Sequence, residues 1–309
     1  MTPPPHDLAT PDQPAFLSNG GWKANRCDMQ AWLDRTGNGT LKDTYYGRRR
    51  DDTGPHPALL SDPLVRQIYL IDIAFFVAAE KVSYLASAGL LPLAPDEASQ
   101  IYIASQVMDE ARHYEVFCKK FADFGYTPEQ RNRIVGTYVT PAMRDFHDLI
   151  LEQVDKKDFV AATIAQNIIM EGMAYPIYRY EYKYWSRFDP SLSSIIRGAF
   201  ADESNHVHYG EAMVSHIYAG MDRDEKGRLC RLLQRFEGLM TEIFEGVVKH
   251  YVGMYQECSN EHMALVGDIE IFKGHLLRDV SEELQVRILL QEIKDEHARR
   301  LARMSIVLP

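Results

Sequence analysis

Apolar side chains recur at helical spacing along most of the chain after residue 61. The periodic segments cover residues 62–89, 96–124, 141–155, 158–187, 191–219, 223–256 and 281–305. Apolar positions three and four residues apart give each helix one apolar face, and that face packs in a core. Sequence signals for strands are almost absent. The pattern therefore predicts an all-α protein.

Segments rich in glycine and proline predict where the helices end. "AGLLPLAPDE" at 88–97 ends one helix, and Asp96 or a neighbour is suited to begin the next. "SRFDPSLSS" at 186–194 separates a second pair of helices in the same way. Residues 1–60 are rich in Pro, Gly and Asp and predict an irregular N-terminal arm. We expect residues 61–309 to form a single helical domain.

Two glutamates interrupt apolar helical runs. Glu80 lies in "IDIAFFVAAEKV" and Glu171 lies in "ATIAQNIIMEGM". An isoleucine stands seven residues before each of them, two helical turns earlier on the same face. Ionised carboxylates are rarely buried without a partner or a metal. The pattern therefore indicates glutamates that project into a bundle core and need positive charge there.

A Glu-x-x-His motif follows each of these glutamates at a similar distance. The first copy joins Glu110 to His113 and the second joins Glu203 to His206, with 30 and 32 residues between the paired glutamates. Residues three apart lie on one helix face, so each pair can bind one metal ion. A single copy is also a common surface pattern, but two copies at matched spacing favour the ligand set of two metal ions in a four-helix bundle.

Residues beside the two motifs are suited to orient the ligands. Asp109 and Asp202 stand directly before the motif glutamates. Because a metal-bound histidine usually gives its other N–H to a carboxylate or carbonyl, we expect these aspartates to contact the imidazoles crosswise between the motifs. Arg112 is placed to pair with one of them. In contrast, Glu296 and His297 are adjacent, so the one-face spacing fails and a charged surface helix is expected.

Composition narrows the classes of function. The net charge of −10 argues against general binding to nucleic acid or anionic membranes. The four cysteines form no Cys-x-x-Cys, and no signal peptide or apolar run of 18 residues is found, so we expect a soluble cytoplasmic protein. Without a glycine-rich phosphate loop or dinucleotide fingerprint, reducing electrons are expected from an external donor, a ferredoxin or a reductase.

The motifs "DEARH" and "DESNH", with their upstream glutamates, resemble those of the ferritin-like di-iron carboxylate oxygenases and oxidases. That superfamily includes ribonucleotide reductase small subunits and related ligand-binding oxidases, multicomponent monooxygenase hydroxylases and arylamine N-oxygenases. The resemblance covers about residues 62–220. It implies a ferritin-like four-helix bundle core, here with additional helices and an irregular N-terminal arm. It also implies two iron ions, or manganese with iron, and O2 as co-substrate.

The resemblance also implies how the ligands divide between the two ions. One iron would take Glu80, Glu110 and His113. The other iron would take Glu171, Glu203 and His206. Glu110 and one carboxylate from the second half would bridge the two ions.

At positions that characterise each of these families, this chain has different residues. Phe117 stands where the reductases have a radical tyrosine. Ser83 and Gln166 stand where the ligand-binding oxidases cross-link a valine to a tyrosine. Tyr175 replaces a threonine of the hydroxylases, and Ala199 replaces an additional histidine of the N-oxygenases. The motifs are therefore specific for the metal site and not for the substrate.

Several side chains lie one helical turn from a predicted ligand. They are Phe76, Tyr84, Gln106, Phe117, Asn167 and Tyr175. Either they line a cavity around the metals, or they are ordinary core residues. Tyr175, Tyr84 and Asn167 are the candidates for a catalytic role, by orienting substrate or relaying an electron.

The predicted function is that of an O2-dependent di-iron oxygenase acting on a small organic metabolite. N-oxygenation of an amine is an alternative, and so is a radical or ligand-binding oxidase. A ferroxidase or iron-binding protein is a further alternative from another class. The helices after residue 220 and the arm before residue 60 argue against a storage ferritin, which is much shorter. We expect a homodimer that binds neither nucleic acid nor membrane.

Overall fold

A computed structural model describes residues 54–306 and two short strands before them, and helices make up nearly all of this part of the chain. The helices are α1 Pro57–Ser61, α2 Pro63–Leu90, α3 Glu97–Asp123, α4 Pro128–Tyr138, α5 Pro141–Asp155, α6 Phe159–Thr163, α7 Tyr175–Phe188, α8 Pro190–Gly220, α9 Arg223–Ile243, α10 Lys249–Glu261, α11 Met263–Val266 and α12 Glu282–Arg303. Wider π-helical segments cover Ile164–Glu171 and Phe244–Val248, and 3₁₀ turns cover Leu91–Leu93 and Leu277–Asp279. The predicted all-α class is confirmed.

Short strands form two antiparallel pairs in the described residues. β1 Thr44–Tyr45 pairs with β2 Arg48–Arg49, and β3 Glu270–Phe272 pairs with β4 His275–Leu276. The second hairpin turns at Gly274, whose φ of +78° is readily adopted only by glycine. The remainder of the predicted N-terminal arm up to residue 53 lies outside the described residues.

Four antiparallel elements form the bundle: α2, α3, the segment from α6 to Glu171, and α8. α2 packs along α3, and α8 packs against the π-helical segment. The isoleucines that stand seven residues before the four glutamates all lie in the core, at most 1% exposed: Ile73, Ile103, Ile164 and Ile196. The prediction that each bundle helix buries an aliphatic side chain two turns before its glutamate is confirmed.

Aspartates begin the helices that return after the two predicted turns. The Asp96 carboxylate accepts a hydrogen bond from the Ser99 backbone N–H at 2.7 Å. The Asp189 carboxylate accepts one from the Ser191 backbone N–H at 3.0 Å, with Pro190 as the first helical residue. These caps satisfy backbone donors that a helix start leaves free. Both turns predicted from glycine and proline are confirmed.

Two features of the helices differ from the sequence pattern. α4 was not predicted, because none of its residues is fully buried and only Ile134, Val135 and Tyr138 pack against the core. It begins with a capping box between Thr127 and Gln130. The single helix predicted at 158–187 is instead widened over Ile164–Glu171 and broken before α7, where Pro176 stands in the first turn.

The helices after residue 220 enclose one side of the bundle. α9 packs on α5 and on the π-helical segment, α10 packs on α2, and α12 packs on α7. This arrangement leaves space between the bundle and the additional helices. Over residues 54–306, every helix is too short or too polar to cross a membrane.

Candidate metal centre

The six predicted ligands meet inside the bundle and form what we call the central cluster. They are Glu80 on α2, Glu110 and His113 on α3, Glu171 at the end of the π-helical segment, and Glu203 and His206 on α8. Each of these residues is at most 4% exposed. The structure therefore brings together the side chains that the repeated motif singles out, from four different elements.

Ligand atoms of the central cluster form two overlapping groups. One group contains Glu80, Glu110, His113 and Glu203, and the other contains Glu110, Glu171, Glu203 and His206. Within each group the ligand atoms lie within 4.8 Å of one another. Glu110 and Glu203 belong to both groups. They are therefore placed to bridge two ions, one held on each side.

The His113 imidazole faces three glutamates through the same ring nitrogen. Its Nδ1 lies 3.2 Å from an oxygen of Glu203, 3.5 Å from Glu110 and 3.6 Å from Glu80. A single nitrogen surrounded by carboxylate oxygens at these distances is a donor set for one cation.

His206 has the same arrangement in the second half. Its Nδ1 lies 2.9 Å from an oxygen of Glu203, 3.2 Å from Glu110 and 3.8 Å from Glu171. The two imidazoles thus turn equivalent atoms toward a shared group of carboxylates. This internal symmetry follows the sequence repeat.

The outer nitrogens of the imidazoles contact the two aspartates crosswise. His113 Nε2 lies 3.1 Å from Asp202, and His206 Nε2 lies 3.4 Å from Asp109. The Arg112 guanidinium contacts Asp202 at 2.8 Å and Asp109 at 3.0 Å, so it pairs with both aspartates and not with one. These contacts hold each ring with Nδ1 toward the glutamates.

Several polar atoms of the central cluster form no hydrogen bond within the described residues. They are Oε1 of Glu80, both carboxylate oxygens of Glu110, Nδ1 of His113 and Oε2 of Glu171. Unsatisfied buried groups are costly, and here they converge on the same space. Carboxylate oxygen and imidazole nitrogen are also the donors that iron, manganese and zinc accept. The residues present therefore fit the two metal ions that the sequence implies.

Burial and the neighbouring charges raise the pKa values of four residues of the central cluster. Burial raises the pKa values of Glu80 and Glu171 well above their usual value, because the charged form is poorly solvated. Burial opposes the charged imidazoles, but the surrounding carboxylates raise the pKa values of His113 and His206 well above the usual value. Protons therefore supply positive charge in the metal-free protein, and metal binding must displace them.

Amide side chains orient Glu171. Its Oε1 accepts hydrogen bonds from Gln166 at 2.9 Å and from Gln106 at 3.2 Å. Asn167 donates to Gln106 at 3.1 Å and to the His206 carbonyl at 3.0 Å. Asn167 thus acts on the cluster through its neighbours. The sequence pattern singled out Gln106 and Asn167 by their spacing, but it assigned no such contact to Gln166.

Comparison with known proteins identifies structures that share the fold. No family model matches the chain, and no curated protein matches its sequence significantly. Solved structures of R2-like ligand-binding oxidases do match. A variant with an anaerobically reconstituted Mn/Fe cofactor has a TM-score of 0.62 at 15% identity, over 88% of this chain and 90% of that chain. The chain has a ferritin-like fold.

Further structures of the same oxidases agree. A variant with an aerobically reconstituted Mn/Fe cofactor has a TM-score of 0.58 at 15% identity, over 79% of this chain and 83% of that chain. A variant with an Fe/Fe cofactor has a TM-score of 0.54 at 17% identity, over 78% of this chain and 80% of that chain. The predicted ferritin-like fold is confirmed.

An apolar cavity of about 200 Å³ adjoins the central cluster of this ferritin-like bundle. Glu80, Glu171 and Glu203 form one end of it. Its walls come from α2, α5, α7 and the segment from α9 to α10, which includes the π-helical residues Phe244–Val248. Wide turns of this kind recur at functional sites because they re-aim side chains. The cavity therefore gives the central cluster an adjoining apolar space for a ligand.

Aromatic residues near the central cluster lie in different surroundings. Phe76 lines the cavity and stacks on Phe117, with ring centroids 4.3 Å apart. Tyr175 donates to the Glu203 carbonyl at 3.3 Å. Tyr84 packs edge-on against another tyrosine. Neither tyrosine is among the residues that line the cavity, and neither is Asn167, so their catalytic roles stay predictions.

Two acidic residues of the cavity were missed by the sequence reasoning. Asp72 on α2 and Glu181 on α7 both line it and are at most 8% exposed. Asp72 stands in the same apolar run as Glu80, eight residues earlier, and a polar residue there was a usable signal. Glu181 lies in the tyrosine-rich segment of α7, where the sequence allowed either a packing surface or the wall of a substrate channel but did not single out this glutamate.

The expectation of a charged surface at Glu296 and His297 is wrong. Both residues are only 7% exposed, because α12 packs against the bundle. Arg300 donates to Glu296 at 2.5 Å and to Glu211 of α8 at 2.8 Å. The His297 imidazole contacts a glutamate of α9 at 2.6 Å. These charges are balanced by arginine, so this group fits no metal ion.

Proposed function

We propose that the protein is a non-haem di-iron oxygenase that hydroxylates a C–H bond of a small organic molecule. The observation that carries the proposal is the position of the central cluster at the end of a buried apolar cavity. Metal ligands on one side and an apolar enclosure on the other are the requirements for oxidising a bound molecule in the absence of water. The fold shared with the R2-like ligand-binding oxidases supports the same class of chemistry.

The donor set supports two iron ions, with manganese in place of one iron as the alternative. Glu80 and His113 would hold one ion, Glu171 and His206 would hold the other, and Glu110 and Glu203 would bridge them. Two such ions, when bound, supply the electrons and the Lewis acidity that O2 reduction requires.

The overall reaction needs an external two-electron donor. One C–H bond of the substrate breaks and one C–O bond forms, and the second oxygen atom of O2 leaves as water. Two electrons from the donor and two protons complete that water molecule. Because no site for a nicotinamide or flavin is indicated by the sequence, a ferredoxin or a reductase is the expected donor.

The residues of the chain have defined tasks in this proposal. Asp109 and Asp202 hold the imidazoles in one orientation. Gln106 and Gln166 fix the carboxylate of Glu171 where it lines the cavity. Phe117 has no hydroxyl group where the resemblance implies a radical tyrosine, which favours substrate oxidation over storage of a radical.

Labelled oxygen tests the proposal. Protein loaded with ferrous iron is exposed to ¹⁸O2 and reductant with decanol, decylamine or decanoate, and products are examined by mass spectrometry. We expect one labelled oxygen atom in the product of at least one probe. Glu110→Gln should abolish this incorporation, whereas Glu115→Gln on the exposed side of the same helix should preserve it. Iron-loaded protein that consumes no O2 would contradict the proposal.

A further inference from the structure

The cavity has carboxyl groups at both of its ends. Glu80 and the other glutamates of the central cluster form one end, and Asp72 with Glu181 forms the other, which we call the far carboxyl pair. Asp72, Phe76 and Glu80 are spaced four residues apart and share one face of α2. Eight residues of helix correspond to about 12 Å along the axis. The far carboxyl pair is therefore distinct from the metal ligands.

Asp72 is held in place by donors that point at it. Trp185 Nε1 donates to its carboxylate at 2.7 Å, and the Tyr255 hydroxyl donates to the same oxygen. Asp72 is only 3% exposed. Two donors stabilise the ionised form and fix its direction, but they carry no positive charge.

Glu181 lies beside Asp72 without such donors. It is 8% exposed, and its Oε2 forms no hydrogen bond within the described residues. Over residues 54–306, no lysine, arginine or histidine forms an ion pair with Glu181 or Asp72. His147 also lines the cavity, but burial lowers its pKa to about 4, so it is neutral at physiological pH. Within residues 54–306 the far carboxyl pair therefore has no cationic partner.

The space between the two ends is apolar. Its walls include Phe76, Ile177, Met240, Val248 and Leu289. These side chains offer no hydrogen-bond partner, so the middle of a ligand must be hydrocarbon or aromatic. A ligand that fills the cavity has one polar end and one apolar body.

We propose, on the basis of the proposed oxygenase function, that the substrate is an elongated apolar primary amine whose ammonium group binds between Asp72 and Glu181. Three N–H donors of an ammonium group match the free Oε2 of Glu181 and the accepting carboxylate of Asp72. The apolar chain then extends past Phe76 toward Glu80. A carboxylate would bring a negative charge into a site that has no cation among the described residues, and a neutral alcohol supplies no positive charge to replace the protons of the pair.

Protonation of the far carboxyl pair is consistent with a missing cation. Burial raises the pKa of Asp72 to about 7, against the opposing effect of its two donors. Burial, together with the nearby Asp72, raises the pKa of Glu181 well above its usual value. The empty cavity thus retains protons near neutral pH. An ammonium group, which stays charged to about pH 10, takes their place and releases them.

The orientation of the amine decides which bond is oxidised. With the nitrogen at the far carboxyl pair, it lies about 12 Å from Glu80 along α2. The group next to the central cluster is then the opposite end of the chain. The inference therefore assigns hydroxylation to a remote carbon and not N-oxygenation to the amine.

Calorimetric titration tests the assignment without turnover. Metal-loaded protein is titrated anaerobically, without reductant, with decylamine, decanol and decanoate. Decylamine should bind about 30-fold more tightly than decanol, a factor within the range that desolvated ion pairs contribute. Decanoate should bind more weakly than decanol. Titrations of decylamine in buffers of different ionisation enthalpy should show that protons are released.

Substitution of the far carboxyl pair sharpens the test. Glu181→Gln should weaken decylamine binding by about 30-fold and leave decanol binding within about two-fold. Asp72→Asn, whose amide oxygen can still accept from Trp185, should act in the same direction. Glu257→Gln, an exposed change on α10, should alter neither the binding of decylamine nor that of decanol.

The outcomes separate the two proposals. Equal binding of decylamine and decanol by the unmodified protein, or binding of decanoate in preference to both, would overturn the amine assignment even if the protein oxidises another probe. Selective amine binding that survives Glu181→Gln and Asp72→Asn would also overturn it. Selective binding without any O2-dependent product would instead leave the amine site standing and reject the oxygenase.

Discussion

Two groups of acidic side chains are buried on the helices of this protein, and they differ in how their charge is balanced. The central cluster contains four glutamates and two histidines, and the neighbouring Arg112 contacts the aspartates outside it. The arginine cluster, formed by Glu211, Glu296, Arg300 and Arg303, contains its own cations at 2.5–3.2 Å. The arginine cluster has its cations among the described residues, whereas the central cluster needs cations from outside the chain.

The difference shows that burial of carboxylates alone does not indicate a metal. Arg300 satisfies Glu211 and Glu296 directly. In the central cluster, both oxygens of Glu110 form no hydrogen bond within the described residues. Convergent, unsatisfied oxygen and nitrogen donors distinguish a metal centre from a buried ion-pair network. Breaking each cluster should therefore have different consequences.

Loss of a ligand histidine should have the largest effect. His206→Ala removes the nitrogen donor of the second ion. Because changes to residues that only contact a ligand cost up to about 100-fold in metal affinity, loss of the ligand itself should cost more than that. O2-dependent oxidation should be abolished. Metal analysis of the purified variant is the measurement. His208→Ala, an exposed neighbour on α8, and His297→Ala, beside the arginine cluster, should keep full metal content.

Loss of the buried Arg300 guanidinium should lower the free energy of unfolding and leave the metal content unchanged. Arg300→Met leaves Glu211 and Glu296 buried without their shared cation and should lower the free energy of unfolding by about 3–5 kcal/mol. Arg299→Met, at a side chain that is 59% exposed, should cost less than about 1 kcal/mol. Urea unfolding measures both values. A large loss of metal in Arg300→Met protein that is still folded would contradict the separation of the two clusters.

Loss of an aspartate that orients an imidazole should have an intermediate effect. Asp109→Asn keeps the shape of the side chain but weakens its contact with His206. Metal affinity or turnover should fall by about 10-fold to 100-fold. Competitive titration with a chelator gives the affinity. Glu115→Gln on the exposed side of the same helix is the matched control, and an equal loss there would show that the effect is not specific.

The increase in Tm that metal binding causes should grow gradually as the pH rises. Glu80, Glu171, His113 and His206 have raised pKa values in the metal-free protein. The stability that their protons contribute is present below the unfolded values and is lost as the pH rises through the folded values. Metal replaces those protons, so the difference in Tm between loaded and metal-free protein should widen from about pH 5 to about pH 8. A constant difference would contradict this account.

The sequence predicts the parts of the structure that repeat or that show an apolar face. Glu110 and Glu203 could be found because their motifs recur, and α2 and α8 because one face of each is apolar. α4 could not be found, because it buries no side chain fully and shows only a short apolar pattern. The pairing of Arg300 with Glu211 joins residues 89 positions apart. Such a contact depends on the packing of α12, which no local pattern encodes.

Crystallography of the iron-loaded protein with anomalous scattering tests the central claim most directly. The account predicts two iron positions in each chain, one beside Glu80 and His113 and one beside Glu171 and His206. Glu110 and Glu203 should lie between the two positions. A chain that holds no iron there, or in which Glu80 and Glu171 turn away from the imidazoles while iron binds elsewhere, would contradict the account.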